Sequence, residues 1–172
     1  MDAKPGPVRG HASLRMGRYS EAGRVYLVTF VTASRQPLFA DWTSASTAAR
    51  SSRYPPIWRA SRLLCWVLMP DHWHGLVELG ELDGLSALVN RLKGHTARAV
   101  NATCDRSGHV WSKGFHDHAL RADEALVATA RYIVHNPVRA GLVRRVGMYP
   151  FWDAVWLDGA KVGADAGDGS SR

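Results

Sequence analysis

Cysteine is almost missing from this chain: Cys65 and Cys104 are its two thiols in 172 residues. They are widely separated and belong to no CxxC or zinc-ribbon spacing, which excludes a disulfide framework and points to reduced thiols. No run approaches the roughly 20 apolar residues needed to cross a bilayer, and the first residues lack the apolar core of a signal sequence. The expectation is a cytoplasmic protein. Acidic residues are also scarce, 15 against 22 Lys and Arg, giving a formal charge of +7 and a pI near 9.9. Such a balance favours a polyanionic partner, because Lys and Arg neutralise phosphates and release counterions, although an Arg-rich proteome produces the same excess. No internal repeat is visible.

What is present is enough for one core: 46% of the residues are hydrophobic, and the length gives no reason to expect a second complete domain. Residues 1–23 are polar and basic, with Lys4, Arg9, Arg15 and Arg18, and read as a flexible arm. Residues 24–157 form the domain. Residues 158–172, rich in Gly, Asp and Ser, read as a disordered tail.

Within the domain, residues 25–32 (VYLVTFVT) predict a first strand, ended by Pro37. A helix is expected over 40–52 behind an Asp41 cap, broken by residues 54–56, with a short helical piece at 57–62. Residues 63–69 and 73–79 predict two strands joined as a hairpin by Pro70–Asp71. Leu85, Leu88, Val89 and Leu92 mark a helix over 84–102, and a fourth strand is expected over 114–121. Asp123 and Glu124 open a last helix whose buried stripe is Leu126, Ala130, Ile133 and Val134. This order is the split βαβ pattern of an α+β, ferredoxin-like fold: an antiparallel sheet with helices on one face, the other face open for a ligand, and one additional C-terminal helix.

The hairpin delivers His72 and His74 together, at and just before the start of its second strand. Side chains two apart on a strand share a face, so one divalent metal can bridge both imidazoles while Trp73, Val77 and Leu79 point into a core. In a chain with eight histidines the spacing also arises by chance. On the last helix, Tyr132 and Asn136 are four residues apart, roughly 40° on the helical wheel and off the apolar stripe. Pro137 biases Asn136 away from continued helix, near the C-terminus, where its carboxamide oxygen can reach a metal held by the sheet. Taken singly, Tyr132 also fits a half-buried helix aromatic and Asn136 a helix cap.

The segments GRYS (17–20), VYLVTFVTASRQPLF (25–39), WVLMPDHWHGLVEL (66–79) and YIVHNPVRAGLV (132–143) together resemble the REP-associated tyrosine transposases, single-tyrosine members of the HUH nuclease superfamily. The resemblance spans roughly residues 14–156, with its motifs in the family's order. It implies Tyr132 as the nucleophile, and His72, His74 and Asn136 as ligands of Mg²⁺ or Mn²⁺ with positions left for phosphate oxygens. It further implies single-stranded DNA and hairpins of repetitive extragenic palindromes as partners, cleavage through a 5′-phosphotyrosine, and rejoining by a second 3′-hydroxyl. A tyrosine phenol, with a reference pKa of about 10, needs such a metal or nearby cations to attack at neutral pH.

For DNA contacts, Arg15 and Arg18 lie in the region that the resemblance associates with guide-strand recognition, Arg91, Lys93 and Arg98 are candidates for stem phosphates, and Arg131 beside the tyrosine is another. His135, Asp117 and His118 are candidate lining groups, with His116 completing a second His-x-His. Trp111 and Phe115 suit base stacking or, more simply, the core. Residues 149–156 read as an aromatic segment packed on the domain. The expected assembly is a monomer, with a dimer as the alternative. Two other functions compete: a catalytically silent hairpin-binding or regulatory protein, and a metallohydrolase that activates water, in which Tyr132 is structural.

Overall fold

A computed structural model describes residues 20–121 and 126–157. Arg15, Arg18, Asp123, Glu124 and the tail lie outside the described residues. Residues 20–23, read as the end of the arm, are tied to the domain: Gly23 donates to the Leu79 carbonyl at 2.7 Å, and the Ser20 hydroxyl accepts from Leu85 N–H at 3.1 Å. Ser20 thus caps a helix whose own N-cap, Gly84, has no side chain to offer.

Five strands, β1 (Val25–Val31), β2 (Arg62–Met69), β3 (His72–Glu78), β4 (His116–Ala119) and β5 (Trp152–Ala154), form one antiparallel sheet in the order β4-β1-β3-β2-β5. The first four give the ferredoxin-like order, and β5 extends the β2 edge. Between them run α1 (Trp42–Ser52), α2 (Pro55–Trp58), α3 (Leu85–Thr103), α4 (Leu126–Val134) and α5 (Asn136–Arg139). Asp41 caps α1 as expected, its carboxylate accepting from Ser44 N–H at 2.8 Å.

Three expectations need correction. The helix does break, at Arg53 and extended Tyr54, but the second helical piece is Pro55–Trp58 rather than 57–62: both prolines lie in its first turn, where a missing N–H costs nothing. The strand β1 stops at Val31, ahead of Pro37, because the chain turns into a short 3₁₀ segment, Ala33–Arg35. Asn136 does not leave the helical path: His135 keeps α-helical dihedrals, and α5 starts at Asn136 with Pro137 in its first turn.

Alternation divides the sheet. Tyr26, Val28, Phe30, Trp66, Trp73 and Val77 are buried on the face covered by α1 and α3, where Phe30 stacks on Trp73 with centroids 5.1 Å apart and meets Trp111 edge-on at 4.7 Å. The opposite face bears His72, His74, Leu76, Cys65, Val67 and Met69. It is not fully open: α4 lays buried Ala130 and Ile133 over β2 and β3. Tyr149 and Phe151 pack as expected, the Tyr149 hydroxyl donating to the Leu68 carbonyl at 2.7 Å. Trp111 is core, its indole donating to Thr96.

Candidate nuclease site

His72 and His74 share one sheet face, with perpendicular rings 6.5 Å between centroids. Each is oriented through Nδ1. The Asp71 carboxylate lies 2.7 Å from His72 Nδ1, and a carboxylate only accepts, so the contact places a hydrogen on Nδ1 and, in the neutral ring, the lone pair on Nε2. Arg35, 3.5 Å from the other carboxylate oxygen, steadies Asp71. His74 Nδ1 lies 2.5 Å from the Thr29 hydroxyl on the paired residue of β1. Its Nε2 is buried with no hydrogen-bond partner among the described residues.

Burial holds the His74 imidazole well below its ordinary value, down to about 4, with the charges of His72 and Arg139 adding to the effect. An unfolded histidine titrates near 6.5, so between pH 6.5 and 4 the unfolded chain binds the extra proton first. The stability contributed by a neutral His74 is therefore complete above pH 6.5 and lost as pH falls toward 4, on the order of 3 kcal/mol in all. Thermal unfolding in chelator from pH 7.5 to 4.5 should fall more steeply for the wild type than for His74→Gln; parallel curves would refute this.

The second group of site residues comes from α4 and α5. Tyr132 is 56% exposed. The Asn136 carboxamide is fixed at both ends: Nδ2 donates to the Ile133 carbonyl at 3.0 Å, and Oδ1 accepts from Arg139 Nη2 at 2.6 Å. The Arg139 guanidinium also lies over the Tyr132 ring, 3.6 Å from its centroid. The structure thus joins Tyr132 to Asn136 through Arg139 and sets His72 beside His74, while α4, which carries Tyr132, packs on β2 and β3, the two strands of the histidine hairpin. Asp71, Thr29 and Arg139 were not singled out from the sequence. Asp71 is adjacent to the first histidine and Arg139 follows Asn136 by one helical turn, so both were within reach of spacing; Thr29 is found only through strand register.

The basic candidates are placed differently. Arg91 donates to the Ile57 carbonyl and to Asp83, both at 2.7 Å, and Lys93 donates to the Ser112 and Gly114 carbonyls, also at 2.7 Å. Burial draws the Lys93 ammonium below the ordinary lysine range. These two side chains brace loops, and together with exposed Arg98 they sit on α3, across the sheet from the histidines. Arg131 and His135 are exposed on the tyrosine-bearing segment. His116 and His118 share the His74 face, paired with Thr29 and Leu27, while Asp117 points to the other face.

Fold and site together define a class: a ferredoxin-like sheet with a His-x-His strand and a tyrosine-bearing helix packed on the same face is the arrangement of single-tyrosine HUH proteins. Residues 23–136 match the family described as IS200-like transposases, about two-thirds of the chain, and the chain belongs to that family. It is 29% identical over 94 residues to the REP-associated tyrosine transposase of Escherichia coli K12, covering 54% of each chain. It is 31% identical over 94 residues to a Haemophilus influenzae protein assigned to the same group, covering 49% of this chain and 53% of that one. The chain spans about half the length of these curated relatives. A solved REP-associated tyrosine transposase bound to a REP hairpin shares the fold, with a TM-score of 0.64 and 24% identity, over 92% of this chain and 94% of that one. No helix among the described residues is long and apolar enough to cross a membrane.

Proposed function

We propose that this protein is a metal-dependent single-stranded DNA endonuclease and strand-transferase that binds repetitive extragenic palindromic hairpins and cleaves through Tyr132. The observation carrying this reading is the preparation of both histidines: Asp71 and Thr29 engage the two Nδ1 atoms, and the Nε2 of His74 is buried without a partner among the described residues. Among the described residues no three His, Cys, Asp or Glu side chains cluster for a metal, and the Asn136 carboxamide oxygen is our candidate for the third protein ligand. These donors, two neutral imidazoles and one amide oxygen, would hold a divalent ion with open positions, and of Mg²⁺ and Mn²⁺ the softer Mn²⁺ accepts imidazole nitrogen more readily. When bound, such an ion supplies charge to the scissile phosphate and to the departing oxygen.

The remaining chemistry belongs to the chain. Tyr132 Oη attacks phosphorus and loses its proton, the bond to the 3′-oxygen breaks, and that oxygen leaves as a 3′-hydroxyl after taking up a proton. The phosphodiester is conserved as a 5′-phosphotyrosine, so a second 3′-hydroxyl reverses the step and joins strands without a nucleotide cofactor. The exposure of Tyr132 suits a macromolecular substrate. The test is incubation with labelled single-stranded DNA containing a repeat hairpin from the protein's own genome, with Mn²⁺ or with chelator. A covalent protein–DNA adduct that requires metal is expected. Tight binding with no adduct and no nick would overturn the catalytic part and favour a silent hairpin binder.

A further inference from the structure

We propose that Arg139 is the positioning residue of this site, one guanidinium that locks the Tyr132 ring and the Asn136 carboxamide into a single rigid unit. The inference rests on the roles given above to Tyr132 and Asn136. Three contacts carry it: Nη2 donates to Asn136 Oδ1 at 2.6 Å, Nη1 donates to the Tyr132 carbonyl at 3.0 Å, and the planar group covers the Tyr132 ring at 3.6 Å. An arginine has donors and no acceptor, so it dictates which end of the carboxamide faces it. With Nδ2 held by the Ile133 carbonyl, the oxygen is presented in one orientation, and its second lone pair remains for a ligand. The same plate restricts rotation of the phenol ring, because a ring swing toward Arg139 meets the guanidinium face.

A lysine cannot reproduce this arrangement. It is a point charge on a flexible stem, and it can neither deliver two donors in a fixed fork nor lie flat on an aromatic ring. The arrangement also explains how a carboxamide on a short second helix and a phenol on the preceding one keep constant geometry across the His135 junction. Misplacing a reacting group by about 1 Å costs on the order of 100-fold in rate. Loss of a group that orients a metal ligand weakens metal affinity by roughly 10- to 100-fold.

The experiment compares the full-length wild type, Arg139→Ala, Arg139→Lys and Tyr132→Phe, with three readouts: Mn²⁺ affinity by electron paramagnetic resonance, hairpin binding, and adduct formation at saturating DNA. Arg139→Ala is expected to bind the hairpin within about twofold of wild type, to bind Mn²⁺ about 10-fold more weakly, and to form adduct about 100-fold more slowly. Arg139→Lys should stay close to Arg139→Ala, and added ethylguanidinium, but not ethylammonium, should restore part of the adduct rate of Arg139→Ala. Circular dichroism and thermal unfolding establish that each variant folds; should Arg139→Ala unfold, Arg139→Lys carries the comparison. Wild-type Mn²⁺ affinity and adduct rate in the variants would overturn the proposal and leave the tyrosine mechanism standing. A wild type that binds Mn²⁺ but forms no adduct removes the tyrosine-transesterification reading, and the Mn²⁺ comparison then decides whether Arg139 holds Asn136. A wild type that does neither overturns both.

Discussion

Tyr132→Phe should form no detectable adduct and no nick, a loss of at least about 10³-fold, while binding the same hairpin within twofold of wild type. The substitution removes one oxygen. The ring it leaves behind still offers a face to Arg139, and the Tyr132 main chain still accepts from that guanidinium, so packing and the local charge distribution survive. Because Tyr132 is 56% exposed, no buried hydroxyl partner is stranded. The comparison with His74→Ala sharpens the result. Both variants should be inactive, but His74→Ala alone should also lose Mn²⁺ affinity, since the Nε2 atom with no partner among the described residues disappears with it. Continued cleavage by Tyr132→Phe would mean that water, not the phenol, is the nucleophile, and the metallohydrolase reading would then replace the transesterification.

The strands β1 to β4, the helices α1, α3 and α4 and the spacing of the two pairs of site residues were legible for a common reason: they are encoded by local period, whereas the three-residue β5 and four-residue α5 are too short to show one. Alternation over VYLVTFV places Val28 and Phe30 on one face, and an i, i+4 spacing groups Tyr132 with Asn136. What local period cannot give is the far end of a long side chain. Lys93 and Arg91 stand on a helix where spacing assigns them to the surface, yet their heads reach the carbonyls of residues 57, 112 and 114, which sequence separation conceals. The same limit hid Thr29, whose position opposite His74 follows only from the register of β1 on β3. Charge was informative about the molecule and uninformative about individual cations. Proline marks boundaries without saying which side is helical: the break before Pro55 is real but Pro55 itself opens α2, and the bias of Pro137 against a helical Asn136 is overridden where Pro137 occupies a first turn.

Gly75→Ala should cost about 3 kcal/mol and lower the melting temperature by roughly 6–12 °C, a large effect for one methyl group on a strand. The added Cβ would stand 2.5 Å from the Trp73 ring and 2.8 Å from the Cys65 carbonyl. Neither neighbour yields easily. Trp73 is fully buried and stacked on Phe30, and the Cys65 carbonyl belongs to β2, which pairs with β3 through this stretch. The glycine is therefore required by close approach: the Trp73 ring folds along its own strand over the position where the next side chain on that face would begin. Trp73 lies between the two histidines in sequence, so displacing its ring tilts the strand that carries both. Differential scanning calorimetry measures the stability loss, and Mn²⁺ affinity at a temperature where the variant is fully folded measures the strand distortion separately. If Gly75→Ala melts within 2 °C of wild type, Trp73 can repack freely and the rigid platform assigned to His72 and His74 is wrong.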